Sequence, residues 1–124
     1  MAQDLGPRPW YGDWPENVKK MMDFPDIGLG ELLRDTAKRF PDDKALVFLD
    51  SVITYRQLDD YVDRLATALN NLGLKKGDVV AIMLPNSHQF VISFFALQRL
   101  GITATTINPT YKAMEVKHQL SDSG

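Results

Sequence analysis

The chain has 124 residues, 44% of them hydrophobic, which is enough apolar material for one compact domain with little room for a second. Its formal net charge is −2, and Lys19-Lys20 and Lys75-Lys76 are isolated pairs rather than a basic stripe, which argues against a nucleic-acid partner. The absence of cysteine removes disulfide scaffolds, thiolate metal sites and thiol nucleophiles together, and fits a cytoplasmic protein.

Residues 1–27 form an arm distinct from the rest. Its opening, MAQDLGPRPWYGDW, lacks the apolar core of a secretory signal. Prolines 7, 9, 15 and 25 remove backbone donors and fix φ, so no long helix or central strand is expected here. Trp10, Tyr11 and Trp14 need a surface to cover, and packing back on their own domain is the plainer use of them than a subunit contact.

Residues 28–124 read as an α/β unit. Positions 29, 32, 33, 36, 37 and 40, all apolar except Thr36, recur at helical spacing until Pro41 stops them. KALVFLD predicts a short strand, Asp50-Ser51 a turn, and Val52-Ile53 a return strand. Thr54-x-x-Gln57 is a capping box, predicting a helix that carries Leu58, Val62, Leu65, Leu69 and Leu72 on one stripe and ends at Gly73. The stripe spans two heptads without a third, so it predicts core packing rather than a coiled coil.

The run VVAIML at 79–84 is continuously apolar, as in a strand buried on both faces. Pro85-Asn86-Ser87 turns it into a helix over about 88–100, closed by Gly101; within it FVISFFAL falls far short of the roughly 20 residues that cross a bilayer. Membrane contact is therefore expected to be peripheral at most. TATTIN predicts a third strand, residues 112–120 a helical turn or two, and Ser-Asp-Ser-Gly a closing turn. Strand and helix alternate from residue 45 onward, so the expected fold class is α/β: an alternating βαβαβ order, a mostly parallel sheet, and helices on both faces. A three-stranded parallel core lacking an edge partner would expose an unpaired strand.

In a parallel sheet, ligands sit beyond the carboxyl ends of the strands, which here directs attention to Pro85-Asn86-Ser87-His88 and Asn108-Pro109-Thr110-Tyr111. Capping and chain reversal explain the same residues without a ligand. Gly28-Leu29-Gly30 lacks the preceding strand and the third glycine of a dinucleotide loop, and no GxxxxGK[ST] is present. His88 and His118 are far apart without metal-ligand spacing, and Ser87-His88 lacks the GxSxG elbow. Asp59, Asp60 and Asp63 fall opposite the leucine stripe, where Asp60 can pair with Arg64, and are expected to form a solvated face. No catalytic, cofactor-binding or metal-binding residue can be assigned on this basis.

Taken in order, these motifs resemble the start of an acyl-CoA synthetase of the adenylate-forming superfamily. ITYRQLD (53–59) is similar to its first core motif, with Gln57 where Glu is usual; KKGDVVAIMLPNSHQFV (75–91) resembles the stretch in which Gly-Asp leads a buried strand to Pro-Asn. LQRLGITATTINPTY (97–111) resembles the second core motif, with Arg99 in the usual Lys place, Leu100 for Ala and Thr106 for Pro. PWYGDWP is similar to members acting on long-chain fatty acids, and Glu115, Leu120 and Asp122-Ser123-Gly124 also fit.

The resemblance implies an amino-terminal part of a larger ligase. The intact enzyme would join a fatty acid to ATP with Mg2+, release pyrophosphate, and let CoA displace AMP. The phosphate loop, the adenine and ribose motifs, the Mg2+ carboxylate and the lid lysine would all lie beyond Gly124, so this chain by itself is expected to bind none of these cofactors. Its partner would be the rest of the same polypeptide. The alternative is a freestanding α/β module, binding a small anionic ligand at the Asn86 and Asn108 edge or associating, for instance as a homodimer, through the arm.

Overall fold

The structure, a computed structural model, describes residues 8–19, 22 and 24–124. In the arm, a 3-10 turn spans Pro9–Gly12. Tyr11 lies edge-on between Trp10 and Trp14, at ring-centroid distances of 6.4 and 5.9 Å, with the Arg8 guanidinium 5.7 Å from the Tyr11 centroid. The Trp14 indole N–H donates to the Val18 carbonyl at 3.0 Å. These aromatics thus cover one another, and Trp10 remains 57% exposed.

Helix α1 (Leu29–Arg39) starts from Gly28 in an extended conformation and ends before Pro41, which cannot continue it. It buries Gly30, Leu33 and Ala37. Strands β1 (Lys44–Phe48) and β2 (Ser51–Thr54) form an antiparallel hairpin in the register Phe48 to Ser51, Val47 to Val52 and Leu46 to Ile53, with an irregularity at Ala45. The turn is Leu49-Asp50, one residue earlier than expected, with Leu49 at φ 52° and Ser51 inside β2.

Helix α2 (Tyr55–Asn71) begins at the expected capping box. The Thr54 hydroxyl accepts from the Gln57 N–H at 3.4 Å, and the Gln57 side chain accepts from the Thr54 N–H at 2.9 Å. Leu58, Val62 and Ala66 are buried and Leu65 and Leu69 are half-buried, but Leu72 is exposed because it is the capping residue beyond the last turn. Gly73 follows with φ 96°, a conformation only glycine adopts without strain.

Strand β3 (Val79–Ile82), helix α3 (His88–Leu100) and strand β4 (Thr103–Thr106) make a parallel unit in the register Val79 to Thr103 through Ile82 to Thr106. Gly101 closes α3 in the left-handed region. Helix α4 (Ala113–Ser123) is longer than expected: Ser121, Asp122 and Ser123 are helical, and only Gly124 leaves the helix. At its start, the Glu115 carboxylate accepts from the Lys112 N–H at 2.7 Å.

The α/β class holds, but the parallel part is smaller than the alternation predicted. Among the described residues there are two two-stranded sheets, β1-β2 antiparallel and β3-β4 parallel. The first predicted strand pairs locally with its own return strand, because a two-residue connection can only make a hairpin. VVAIML is accordingly not covered on both faces: Ile82 is buried, while Val79 and Met83 are exposed. Two apolar clusters form the core, one around Leu33, Ile53, Leu58, Val62 and Ala96 and one around Ile82, Leu97 and Ile102; Leu69 and Leu100 pack against both.

Candidate functional site

Strands β3 and β4 end side by side, and the loops that follow them line a cavity of about 620 Å³. Leu84, Pro85, Asn86 and Phe90 come from the β3 side, and Thr106 through Pro109, Tyr111 and Gln119 from the β4 side. The parallel register brings Asn86 and Asn108 to one place, as expected for a sheet of this kind.

Two of its polar groups are already engaged. The Asn108 side-chain oxygen accepts from the Thr110 N–H at 3.0 Å and from the Thr110 hydroxyl at 2.9 Å, closing the loop on itself. The Gln119 amide donates to the Thr106 carbonyl at 2.7 Å and to the Thr105 hydroxyl at 3.3 Å, tying α4 to the end of β4. Gln119 went unnoticed in the sequence; a glutamine one turn before Ser123 on a short helix gives no local signal of a contact with a strand end.

The lining has no carboxylate, histidine, lysine or arginine. Such a wall can recognise shape and neutral hydrogen-bonding groups, but it holds no acid and base pair, no activated nucleophile and no countercharge for phosphate. A nucleoside triphosphate with Mg2+ does not fit this lining.

Ser87 caps α3 through its backbone, without a side-chain bond to the helix. His88 lies edge-on to Phe48, with centroids 6.0 Å apart, beside a separate cavity of about 300 Å³ between α3 and the hairpin. Its Nε2 is buried with no hydrogen-bond partner, so Ser87 and His88 do not form a nucleophile and base pair. His118 is exposed on α4. Among the described residues no three of His, Cys, Asp and Glu gather as metal ligands.

The aspartates of α2 are not the solvated face expected of them. Arg99, only 11% exposed, reaches across from α3 and donates to the Asp59 carboxylate and to the Asp63 carboxylate, each at 2.6 Å. Arg34 from α1 shares Asp63 at 2.6 Å, and Arg99 also approaches the Gly30 carbonyl at 3.3 Å. Only Asp60 behaves as read, exposed and 3.8 Å from Arg64. The overlooked signal was Arg99 itself, a lone cation in the apolar run FFALQRL that has to find carboxylates when its helix is buried. Gly30 is no part of a nucleotide loop; it lets α1 approach the α3 backbone at Arg99.

The family model for AMP-binding enzyme matches residues 33–124. The chain belongs to that family. It is 35% identical over 116 residues to the long-chain-fatty-acid–CoA ligase of Bacillus subtilis and 38% identical over 118 residues to that of Salmonella typhimurium, matches that take in 94% and 93% of this chain. A human mitochondrial medium-chain acyl-CoA ligase is 39% identical over 98 residues, 77% of this chain and 16% of its own length. The chain spans about a fifth (21%) of the length of the two bacterial ligases.

Solved structures agree. The N-terminal subdomain of Klebsiella oxytoca NpsA in complex with anthranilyl-AMSN superposes with a TM-score of 0.76 at 33% identity, over 78% of this chain and 26% of that one. The fatty acyl CoA synthetase of Mycobacterium tuberculosis superposes with a TM-score of 0.73 at 39% identity, over 77% of this chain and 20% of that one. Among the described residues no helix of this AMP-binding family member is long and apolar enough to cross a membrane.

Proposed function

We propose that this chain is the amino-terminal part of an ATP-dependent long-chain fatty-acid–CoA ligase. In the intact enzyme a fatty carboxylate attacks ATP, giving an acyl-adenylate and pyrophosphate, and CoA then displaces AMP. The carrying observation is the extent of the similarity to long-chain ligases. It takes in 94% of this chain, so it reaches past the family match at 33–124 into the preceding segment. Residues 1–27 act as an arm and residues 28–124 as one portion of an α/β amino-terminal domain, in a cytoplasmic enzyme.

The contribution of this portion is scaffolding. Its capping box, glycine closures and arginine network hold three helices and two small sheets in place, while the cavity beyond β3 and β4 offers neutral hydrogen-bonding groups only. ATP, Mg2+ and CoA would be held by residues further along the polypeptide, and the 124-residue chain alone would not turn over.

The test is to read the source gene through the codon for Gly124, express the whole frame, and follow exchange of pyrophosphate into ATP with and without a long-chain fatty acid. Exchange that depends on the fatty acid in the whole product, and is absent from the 124-residue chain, supports the proposal. A stop codon after Gly124, together with saturable binding of a small ligand by the 124-residue chain at Asn86, would replace it with a freestanding binding module.

A further inference from the structure

We propose that the cavity between the hairpin and the start of α3 is a binding site for a small neutral phenol, held through its hydroxyl by His88. The inference rests on residues 46–91 alone and is independent of the ligase reading. The cavity measures about 300 Å³, at the lower end of the range for small-molecule sites. Strand β1 contributes Leu46, Val47 and Phe48, α3 contributes Phe90 and Val91, and Asn86, Ser87 and His88 complete the wall.

One group in this wall is unsatisfied. The His88 Nε2 is buried and has no hydrogen-bond partner among the described residues. Buried polar atoms are nearly always paired, because an unpaired one keeps its full desolvation cost. The ring stands edge-on to Phe48 with Nε2 closed off from solvent, so binding entails a turn of the imidazole into the cavity, where the ligand's hydroxyl gives Nε2 the partner it lacks. Ser87, which makes no side-chain bond to α3, brings a hydroxyl to the same wall.

The lining selects the ligand. It holds no carboxylate, lysine or arginine, so a charged molecule would lose its hydration there without gaining a counterion. Three of the lining groups, Phe48, Phe90 and His88, are rings, which suit a flat aromatic body in edge-on or offset contact. A hydroxyl both donates and accepts and so pairs with Nε2 in either tautomer, whereas a carbonyl serves only the protonated one. Asn86 and Phe90 also line the larger cavity beyond β3 and β4, so an occupant of the smaller one lies against a wall of the candidate site.

Calorimetric titration of the whole encoded protein with p-cresol, and with toluene as its counterpart lacking the hydroxyl, tests this. Saturable binding of p-cresol is expected, with toluene weaker by about 10-fold, the worth of one hydrogen bond. His88→Phe keeps a ring of similar size and removes the nitrogen; it should weaken p-cresol by about 10-fold and leave toluene unchanged, while its melting temperature stays level or rises because an unpaired buried atom is gone. Should that variant not fold, Ser87→Leu carries the test, since it fills the cavity from a position whose side chain makes no bond to the helix and should abolish binding of both molecules. No saturable binding of p-cresol up to millimolar concentration would overturn the proposal. Equal affinity for p-cresol and toluene, or p-cresol binding unchanged in His88→Phe, would overturn the role of His88, and binding unchanged in Ser87→Leu would place the ligand elsewhere.

Discussion

Gly30 and Arg99 meet backbone to backbone: a Cβ added at Gly30 would lie 2.8 Å from the Arg99 Cα and 3.0 Å from its nitrogen. This is where α1 crosses α3, and no flexible side chain is available there to move aside. The same approach brings the Gly30 carbonyl within reach of the Arg99 guanidinium, so one glycine sets both the helix spacing and part of the arginine's hydrogen bonding.

Gly30→Ala should therefore destabilise the protein, although glycine to alanine on an open helix surface gains about 1 kcal/mol of helix propensity. Forcing one carbon into this contact is expected to cost about 1–3 kcal/mol net, the usual range for overpacking. Urea unfolding of the variant would show it as a lower midpoint. An unchanged or raised midpoint would mean that α1 can lift from α3 freely.

Arg99 is the hub of the second prediction. Removing it strands Asp59, which is only 24% exposed, beside the Gly30 carbonyl with no cation. Arg99→Met should cost about 2–4 kcal/mol, toward the lower end of losses from broken buried pairs because Asp63 is half in solvent. Arg34→Ala, which removes an exposed partner of Asp63, should cost less than about 1 kcal/mol. Arg99→Lys should fall between the two, since an ammonium keeps the charge but cannot fork to both carboxylates. A double-mutant cycle between Arg99 and Asp59 gives the coupling directly, and a value near zero would reduce the network to a surface feature.

The contrast between these aspartates and the helices around them shows what was legible in the sequence. Periodicity and caps are local, so α1, α2 and α3 and their closures at Pro41, Gly73 and Gly101 could be read within a residue or so. Pairing is not local. Whether KALVF joins VVAIML or its own return strand depends on which edges meet in space, and whether Asp59 faces water depends on where α3 places Arg99. The candidate edge with Asn86 and Asn108 was readable because any parallel pair gathers the loops after its strands. Gln119 was not, because its contact is with backbone that only the fold brings near.

The capping box supports a third prediction. Thr54→Ala removes the acceptor for the Gln57 N–H and should cost about 1 kcal/mol. Gln57→Glu keeps the reciprocal bond to the Thr54 N–H and places a negative charge in the first turn of α2, where the helix dipole favours it. That change should add about 0.3–1 kcal/mol at low ionic strength and lose most of the gain in high salt. Thermal melts of the two variants at two salt concentrations separate the hydrogen-bond effect, which persists, from the electrostatic one.

The last prediction concerns Leu49. It holds φ at 52° in the turn between β1 and β2 and is 83% exposed, so it bears left-handed strain with almost no burial to offset it. The left-handed region costs a side chain with a Cβ about 1–2 kcal/mol. Glycine removes that strain but loses more chain entropy on folding, about 0.5–1 kcal/mol. Leu49→Gly should thus stabilise the hairpin by roughly 0.5 kcal/mol, and Leu49→Asn should do as well, because asparagine tolerates this conformation at smaller entropic cost. A higher melting temperature for both variants, with Leu49→Val lower than the parent, fits strain at the turn. The opposite order would mean that the exposed leucine contributes a contact that its position on the hairpin does not suggest.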